Sequence, residues 1–408
     1  MIPETPALRV APPGFLAEPG LGALLAALPG ARVVGGAVRD ALAGLPVADI
    51  DLATPATPEQ VVAALERARL RTIPTGLDHG TVTALVDGRS YEITTLRRDV
   101  ATDGRHAVVA FTDDWRTDAA RRDFTLNALS MDRHGDVFDY FGGIADLRAG
   151  RVRFVGDPAR RIAEDYLRIL RFFRFHARYA RTPPDAAATR AIRAGLPGLS
   201  RLSPERVWGE LRRILAVPAP CGAVALMATL GVLGAVLPEG ADPDRLARMG
   251  EAGAPSDPLL RLAALSTGDP DPVADRLRLS NAERDRLRAV RAAPVPRPEE
   301  DDAALRRMLA DTPADVLIDR TWLTGGRGDD WAALRVRLAA LPRPVFPLAG
   351  SDVLALGVAP GPRVGELLRC VRQWWLEGGC VADSAACRSR LGTMARDPSP
   401  CGRGLGEG

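Results

Sequence analysis

Two apolar residues, a pair of glycines and two aspartates one residue apart constrain this chain more than any other feature. The stretch from Val33 to Thr54 reads VVGGAVRDALAGLPVADIDLAT. Val33 and Val34 form a short apolar strand that breaks at Gly35 and Gly36, and AVRDALAG resumes as a helix with Val38 and Leu42 on one face. A second strand around Ile50 carries Asp49 and Asp51. At a period of two, both carboxylates point to one side of the sheet and Ile50 to the other. Phosphoryl transfer uses such parts. Gly35 and Gly36 let the backbone approach a triphosphate, while the amides opening the next helix, with Arg39, supply positive potential. The aspartates are hard oxygen ligands, which suit Mg²⁺ better than Zn²⁺. In a two-metal arrangement one ion activates the attacking hydroxyl and the other clamps the departing pyrophosphate, so no histidine base is required. A bare DxD is most often a pair of solvated acids; GGxVRD followed by DIDLAT is far more specific.

That string resembles the signature of the polymerase-beta-like nucleotidyltransferases, in particular the class II branch of CCA-adding tRNA nucleotidyltransferases and bacterial poly(A) polymerases. The resemblance implies that Asp49 and Asp51 are catalytic metal ligands and that Mg²⁺ is the cofactor. The rest of the chain can be asked whether it agrees. At 408 residues, 46% of them hydrophobic, it has material for two or three globular domains. Net charge is only +3, and every basic residue is arginine, so local clustering matters more than the total. Five cysteines without a CxxC pair, and no histidine beyond His176, give neither zinc-site spacing nor a disulfide framework. The opening MIPETPALRVAPPGF lacks a basic segment followed by an apolar core, and no apolar run approaches about 18 residues. The expectation is a cytoplasmic chain without membrane contact.

Residues 1–14 are Pro-rich and read as irregular, with a helix following at Leu21–Leu28. Thr57 caps a helix that opens with Pro58 and Glu59 and runs to about Leu70. TIPTGLDHG, TVTALVDG and YEITTLR alternate and break at glycines, as two or three antiparallel strands do. Glu92, inside the third, is either an edge-strand charge or a third carboxylate beside the metals, as the wider superfamily often has. LRRDVATDGRHA, from Leu96 to Ala107, reads as a mobile loop; in CCA-adding relatives a full-length loop here accompanies addition of the final A. ARRDFTLNALSMD then resembles the family's second motif, which implies contact of Arg122 with phosphate or sugar, supported by Asp123 and Asn127. VFDYFGG closes the head with a strand and a turn.

Between Arg148 and Arg181 stand ten arginines and three acids. Asp157 and Pro158 start what reads as one amphipathic helix through RRIAEDYLRILRFFRFHARY, which in most proteins is only a solvated basic face. EDYLR changes that reading. Asp165 and Arg168, three apart, offer an acceptor beside a fork of donors. Cytosine and adenine both present an amino donor next to a ring-nitrogen acceptor, and guanine and uracil reverse the order. The pair therefore accepts C and A and leaves buried groups unpaired against G and U. The string resembles the family's EDxxR motif, whose matching pair recognises CTP and ATP, and Arg171 and Arg174 match further nucleotide-contacting arginines. SPERVWGE, Ser203–Glu210, resembles the next motif, which orders the neck, or is a capped helix with Arg206 and Glu210 paired at i,i+4.

The remainder is helical by pattern and holds no catalytic constellation. LAGSDVLALGVAPGPRVGELLR, Leu348 to Arg369, reads as a helical hairpin that packs or binds RNA backbone. The expected fold is α+β: a small mixed-sheet, palm-like head followed by an all-helical neck, body and tail. The expected division is an extension over 1–30, the head over 31–150, a base-reading neck over 151–215, a tRNA-gripping body and tail over 216–385, and a disordered end over 386–408. The resemblance implies template-independent addition of CCA to the 3′ end of tRNA from CTP and ATP, with the acceptor and T arms gripped by the tail. No membrane is expected, and the sequence points to no particular protein partner. Addition of only CC or only A is a subset of that reading. A poly(A) polymerase is the second reading, disfavoured because TIPTGLDHGTV stands where those relatives carry a GRRF-type stretch. A binding protein with a dead site is the third, against which the intact aspartates argue.

Overall fold

The computed structural model describes residues 5–73, 80–102 and 107–396. Contacts divide the chain at Pro238 into two units, each with its own interior. Among the described residues of the first, the elements in order are β1 (Leu8–Arg9), α1 (Pro19–Ala27), β2 (Arg32–Val34), α2 (Gly36–Leu42), β3 (Asp51–Thr54), α3 (Pro58–Arg67), β4 (Arg71–Ile73), β5 (Thr81–Val86), β6 (Arg89–Thr95), β7 (Arg97–Thr102) and β8 (Ala107–Phe111). There follow α4 (Trp115–Ala120), β9 (Ser130–Met131), β10 (Asp136–Phe138), α5 (Gly143–Ala149), α6 (Pro158–Glu164), α7 (Leu167–Tyr179), α8 (Ala186–Gly195), α9 (Pro204–Ala216), α10 (Cys221–Leu230) and α11 (Val232–Val236). The class is α+β, as expected.

Among the described residues, eight strands make one mixed sheet in the order β1-β10-β9-β2-β3-β6-β5-β4, parallel only where β3 meets β6. Alternation puts Val82, Ala84 and Ile93 into the main core, where they meet Val33, Leu52 and the α3 residues Val61 and Leu65. Each of the valines, leucines and isoleucines contributes about 1.5–3 kcal/mol on burial. Thr57 caps α3 and forms a capping box with Gln60. Because Leu52 and Ile93 are paired and point into this core, their neighbours Asp51 and Glu92 take the opposite side of the sheet.

The structure corrects several local expectations. Asp49 precedes β3 rather than lying in it: the register ends at Val34 opposite Asp51, because Gly35 turns β2 away into α2 and leaves Asp49 no partner strand. Leu8 and Arg9 form a strand on β10 and are not irregular. The expected loop from Leu96 is largely a two-stranded sheet, β7 on β8, drawn together by the ladder from Arg97↔Phe111 to Thr102↔Ala107. Residues 74–79 and 103–106 lie outside the described residues.

The single helix expected from Asp157 is two. Asp157 caps α6 through the Arg160 amide at 2.8 Å, but Asp165 is extended (φ −157°, ψ 106°) and α7 starts anew at Leu167. Aspartate favours caps over helix interiors because its carboxylate competes for backbone amides. Here its Oδ1 accepts from the Leu167 amide at 3.1 Å. The break also swings the Tyr166 ring onto Gly198. An aromatic cluster then fixes α7: Phe124 lies 4.8 Å from Phe154 and 5.1 Å from Phe175, and Phe154 stacks on Phe172 at 6.0 Å. Such pairs add about 0.5–1.5 kcal/mol each beyond burial.

Among the described residues the second unit is built of helices from Pro243–Glu251 to Ser384–Arg396, with one isolated bridge between Ala241 and Ser266. Leu305, Leu309, Leu317, Leu334 and Leu338 form one core and Val353, Leu367, Val371 and Trp375 belong to another. The hairpin-like segment is resolved as helices Gly350–Leu354 and Pro362–Glu377. Residues 386–396, expected to be disordered, belong to the last helix, because Cys387 and Leu391 bury in the Trp375 core; 397–408 lie outside the described residues. Among the described residues no helix is long and apolar enough to cross a membrane.

Candidate active site

Gly35 makes the floor. Its φ of +66° favours glycine, and a Cβ there would lie 3.0 Å from Arg122 Nη1, so the missing side chain is what lets that guanidinium close on the β2–α2 turn. Gly36 opens α2. Arg39, one turn on, is buried: Nε and Nη2 each donate to Asp40 at 2.9 Å, and Nη1 donates to Asn127 at 2.6 Å. It borders the cleft while bracing it, with the Phe175 and Tyr179 rings at 5.1 and 4.7 Å. Tyr179 is pushed up to about 12, chiefly by burial.

Asp51 and Glu92 sit side by side where β3 meets β6, and both line a cleft of about 580 Å³. The Asp51 carboxyl lies above its ordinary value: partial burial in the cleft is the largest cause, Glu92 and Asp49 add repulsion, and Arg122 opposes them. Asp49 itself is exposed on the segment before the strand. Among the described residues no three acidic, histidine or cysteine side chains converge into a complete metal-ligand set. The donors nevertheless fit a hard divalent cation, which characteristically takes one or two carboxylates and leaves other positions to water and phosphate. The repulsion that Glu92 and Asp49 exert on the Asp51 carboxylate is relieved by such a charge.

Arg122 follows α4, where burial lowers its pKa and Asp118, at 3.4 Å, opposes the fall. Burial alone would lift the next carboxyl, Asp123, but Arg171 at 2.6 Å and the Asn127 amide at 3.0 Å outweigh it and hold it below its ordinary value. Asn127 thus links Arg39 to Asp123, and Asp123 links to α7.

At the break between α6 and α7, Asp165 and Arg168 both face the cleft. Asp165 is held by a group far along the chain, and Arg168 by Glu164 one turn back together with two backbone carbonyls. Asp165 Oδ2 accepts from Arg206 of α9 at 2.8 Å. Arg168 Nη1 donates to Glu164 at 2.6 Å and to the Arg161 carbonyl at 2.8 Å, and Nη2 reaches the Arg121 carbonyl at 3.4 Å. Arg171 and Arg174 complete the wall. Burial lowers the pKa of Arg174, with Glu210 opposing, whereas at Arg171 the carboxylates of Asp123 and Glu210 overcome burial and raise it.

The cleft therefore brings together Gly35, Gly36, Arg39, Asp51, Glu92, Arg122, Asp165, Arg168, Arg171 and Arg174, and leaves Asp49 at its approach. Sequence reading did not single out Arg97 and Arg121 as lining residues, and it gave Arg206 no part in the cleft. A signal for Arg121 was present in the doubled RRDF arginine; Arg97 had none beyond its place after the Glu92 strand. Arginines outnumber carboxylates two to one along the walls, so the cleft suits a polyanion with hard-cation ligands at its sheet end and a paired acceptor and donor at its helical end.

Two family models match the chain: the poly A polymerase head domain over residues 31–153, and the probable RNA and SrmB-binding site of polymerase A over 185–242. The mitochondrial CCA tRNA nucleotidyltransferase 1 of Mus musculus is 36% identical over 367 residues, 85% of this chain and 83% of that protein. The CCA-adding enzyme of Geobacillus stearothermophilus is 34% identical over 364 residues, 84% and 87% of the two chains. Among solved structures, the Bacillus stearothermophilus CCA-adding enzyme in complex with CTP superposes with a TM-score of 0.72 at 28% identity, covering 92% of this chain and 97% of that one. With its fold, its cleft and these likenesses in agreement, the chain belongs to the CCA-adding tRNA nucleotidyltransferases of the poly(A) polymerase superfamily.

Proposed function

We propose that the chain adds C, C and A in turn to the 3′ end of tRNA, from CTP and ATP, without a nucleic-acid template and with release of pyrophosphate. One observation carries this reading: a single arginine-rich cleft holds the Asp51 and Glu92 carboxylates at one end and Asp165 with Arg168 at the other. Gly35, Gly36 and Arg122 face the phosphates, with Arg171 and Arg174 along the nucleotide. Asp165 accepts from the amino group of cytosine or adenine and Arg168 donates to the neighbouring ring nitrogen. Uracil and guanine meet the same two groups with donor and acceptor reversed, which leaves buried polar atoms unpaired and rejects them. Because protein groups do the reading, two bases pass and two fail with no template strand.

Asp51 and Glu92, with Asp49 beside them, are the residues that would hold a divalent cation, and Mg²⁺ is the ion we assign to an all-oxygen set. Bound there, it would lower the pKa of the attacking 3′ hydroxyl and stabilise charge on the leaving pyrophosphate. A cytoplasmic location belongs to the same proposal.

The test is product sequencing after incubation with Mg²⁺, CTP, ATP and a tRNA transcript lacking its CCA end. The expected product gains CCA and stops, and Asp51→Ala lowers the rate by about 10³-fold, the several kcal/mol that metal-assisted charge stabilisation supplies. A long A tract would favour poly(A) synthesis. Stopping at CC would mark a partial enzyme, and a tRNA complex without nucleotide consumption would mark a binding protein.

A further inference from the structure

Glu210, on α9, does not line the cleft, yet three guanidiniums converge on it. Its side chain is only 3% exposed. Oε2 accepts from Arg174 Nε at 2.7 Å, Oε1 accepts from Arg213 Nη1 at 3.0 Å, and Arg171 Nη1 stands 3.8 Å away. Arg171 and Arg174 are cleft residues; Arg213 points out, its side chain 65% exposed.

The helix alone does not aim the two cleft arginines together. Three residues of α-helix turn through about 300°, so Arg174 is displaced by roughly 60° from Arg171 around α7. Their like charges also repel, and without a counter-charge between them each would swing away along its flexible stem. Asp123 holds Arg171 from the head side, whereas α7 offers Arg174 only the face of the Phe175 ring, at 4.3 Å, and no carboxylate. Glu210 supplies one, from beneath. One turn earlier on the same face of α9, Arg206 holds Asp165.

We infer that Glu210 is a positioning residue for the incoming nucleotide: it fixes Arg171 and Arg174 against the cleft, setting the part of the site that CTP and ATP share, without touching either. The inference rests on the nucleotidyl-transfer reading above. It separates the two duties of α9, since Arg206 acts on the base-reading carboxylate and Glu210 on groups indifferent to the base.

Glu210→Gln keeps the shape and removes the charge. Its expected effect is a rise in KM of about tenfold, a loss of about 1.4 kcal/mol, equal for CTP and ATP, with kcat within about threefold and discrimination against UTP unchanged. Glu210→Asp should restore part of the affinity. Arg213→Gln, which removes an ion pair from the same carboxylate outside the cleft, should leave KM unchanged. Combining Glu210→Gln with Arg174→Gln should cost less than the sum of the two, because both act through one contact. Strict additivity, an equal effect in Arg213→Gln, or a fall in melting temperature with unchanged KM would each overturn the inference and leave Glu210 as a structural strut. If Glu210→Gln fails to fold, Glu210→Asp and the Arg174 and Arg213 variants carry the same comparison. Equilibrium dialysis of CTP with Mg²⁺ reads the affinity without any transfer. Wild-type CTP binding without CCA addition would overturn the proposed function and leave this comparison intact.

Discussion

Asp165 shows what single residues decide in this cleft. Its Oδ1 is engaged by the Leu167 amide and its Oδ2 by Arg206, which leaves lone pairs on both oxygens for one further donor each. In Asp165→Asn the amide can turn its NH₂ toward a carbonyl, the group that uracil and guanine present. Selectivity for CTP over UTP should fall by about tenfold or more, ~1.4 kcal/mol, read by competing the two nucleotides in one extension assay; unchanged selectivity would remove Asp165 from base reading. His176 decides something different. It stacks on Phe172 at 5.7 Å, and burial lowers its pKa below 6.5. A histidine whose folded pKa is depressed contributes stability that is present above its unfolded value and is lost as pH falls through the folded one. Thermal stability should therefore decline on acidification below 6.5, and the melting temperature of His176→Gln, followed from neutrality to about pH 5, should decline less. A parallel pair of curves would show that other groups carry the acid sensitivity.

At the scale of elements, the sheet and the order of the motifs were legible because they depend on local spacing: the GG break, the alternating TVTALV and YEITT strands and the Thr57 cap all form as their patterns dictate. What the pattern missed depends on partners far along the chain. Asp49 falls outside β3 because β2 ends at Gly35, and Glu210 became a hub only when α9 packed on α7. The break at Asp165 is the clearest case. An amphipathic basic run reads as continuous helix, but the Tyr166 ring needs the surface of Gly198, in the turn between α8 and α9, and reaches it only if the helix stops. A Cβ on Gly198 would lie 2.0 Å from that ring, so the ring or the backbone must shift. Gly198→Ala should therefore cost about 1–3 kcal/mol, the usual range for overpacking. Because Tyr166 joins Asp165 to Leu167, the same variant should raise KM for both CTP and ATP. Loss of stability with unchanged KM would show that the break is held by the Asp165 cap alone.

The chain is two units, each with its own buried interior. All the cleft residues precede Pro238, while Leu305, Leu334 and Leu338 close a core that lies wholly beyond it. Chains of this kind depart from two-state unfolding, so each unit is expected to show its own transition in calorimetry. A ligand stabilises only what it binds, by about 2.7 kcal/mol at a concentration a hundredfold above its Kd. CTP with Mg²⁺ should therefore raise the transition of the unit that ends at Pro238 and leave the other in place. Leu338→Ala supplies the converse. Its side chain is fully buried, and removing it from a leucine core costs about 2–5 kcal/mol, which lowers only the transition of the second unit. CTP affinity, measured by dialysis on the same variant, should match the wild type. If instead one transition responds to both CTP and Leu338→Ala, the two units unfold as a single cooperative body, and a substitution far from the cleft would then weaken nucleotide binding through the population of folded chain rather than through any contact with the nucleotide.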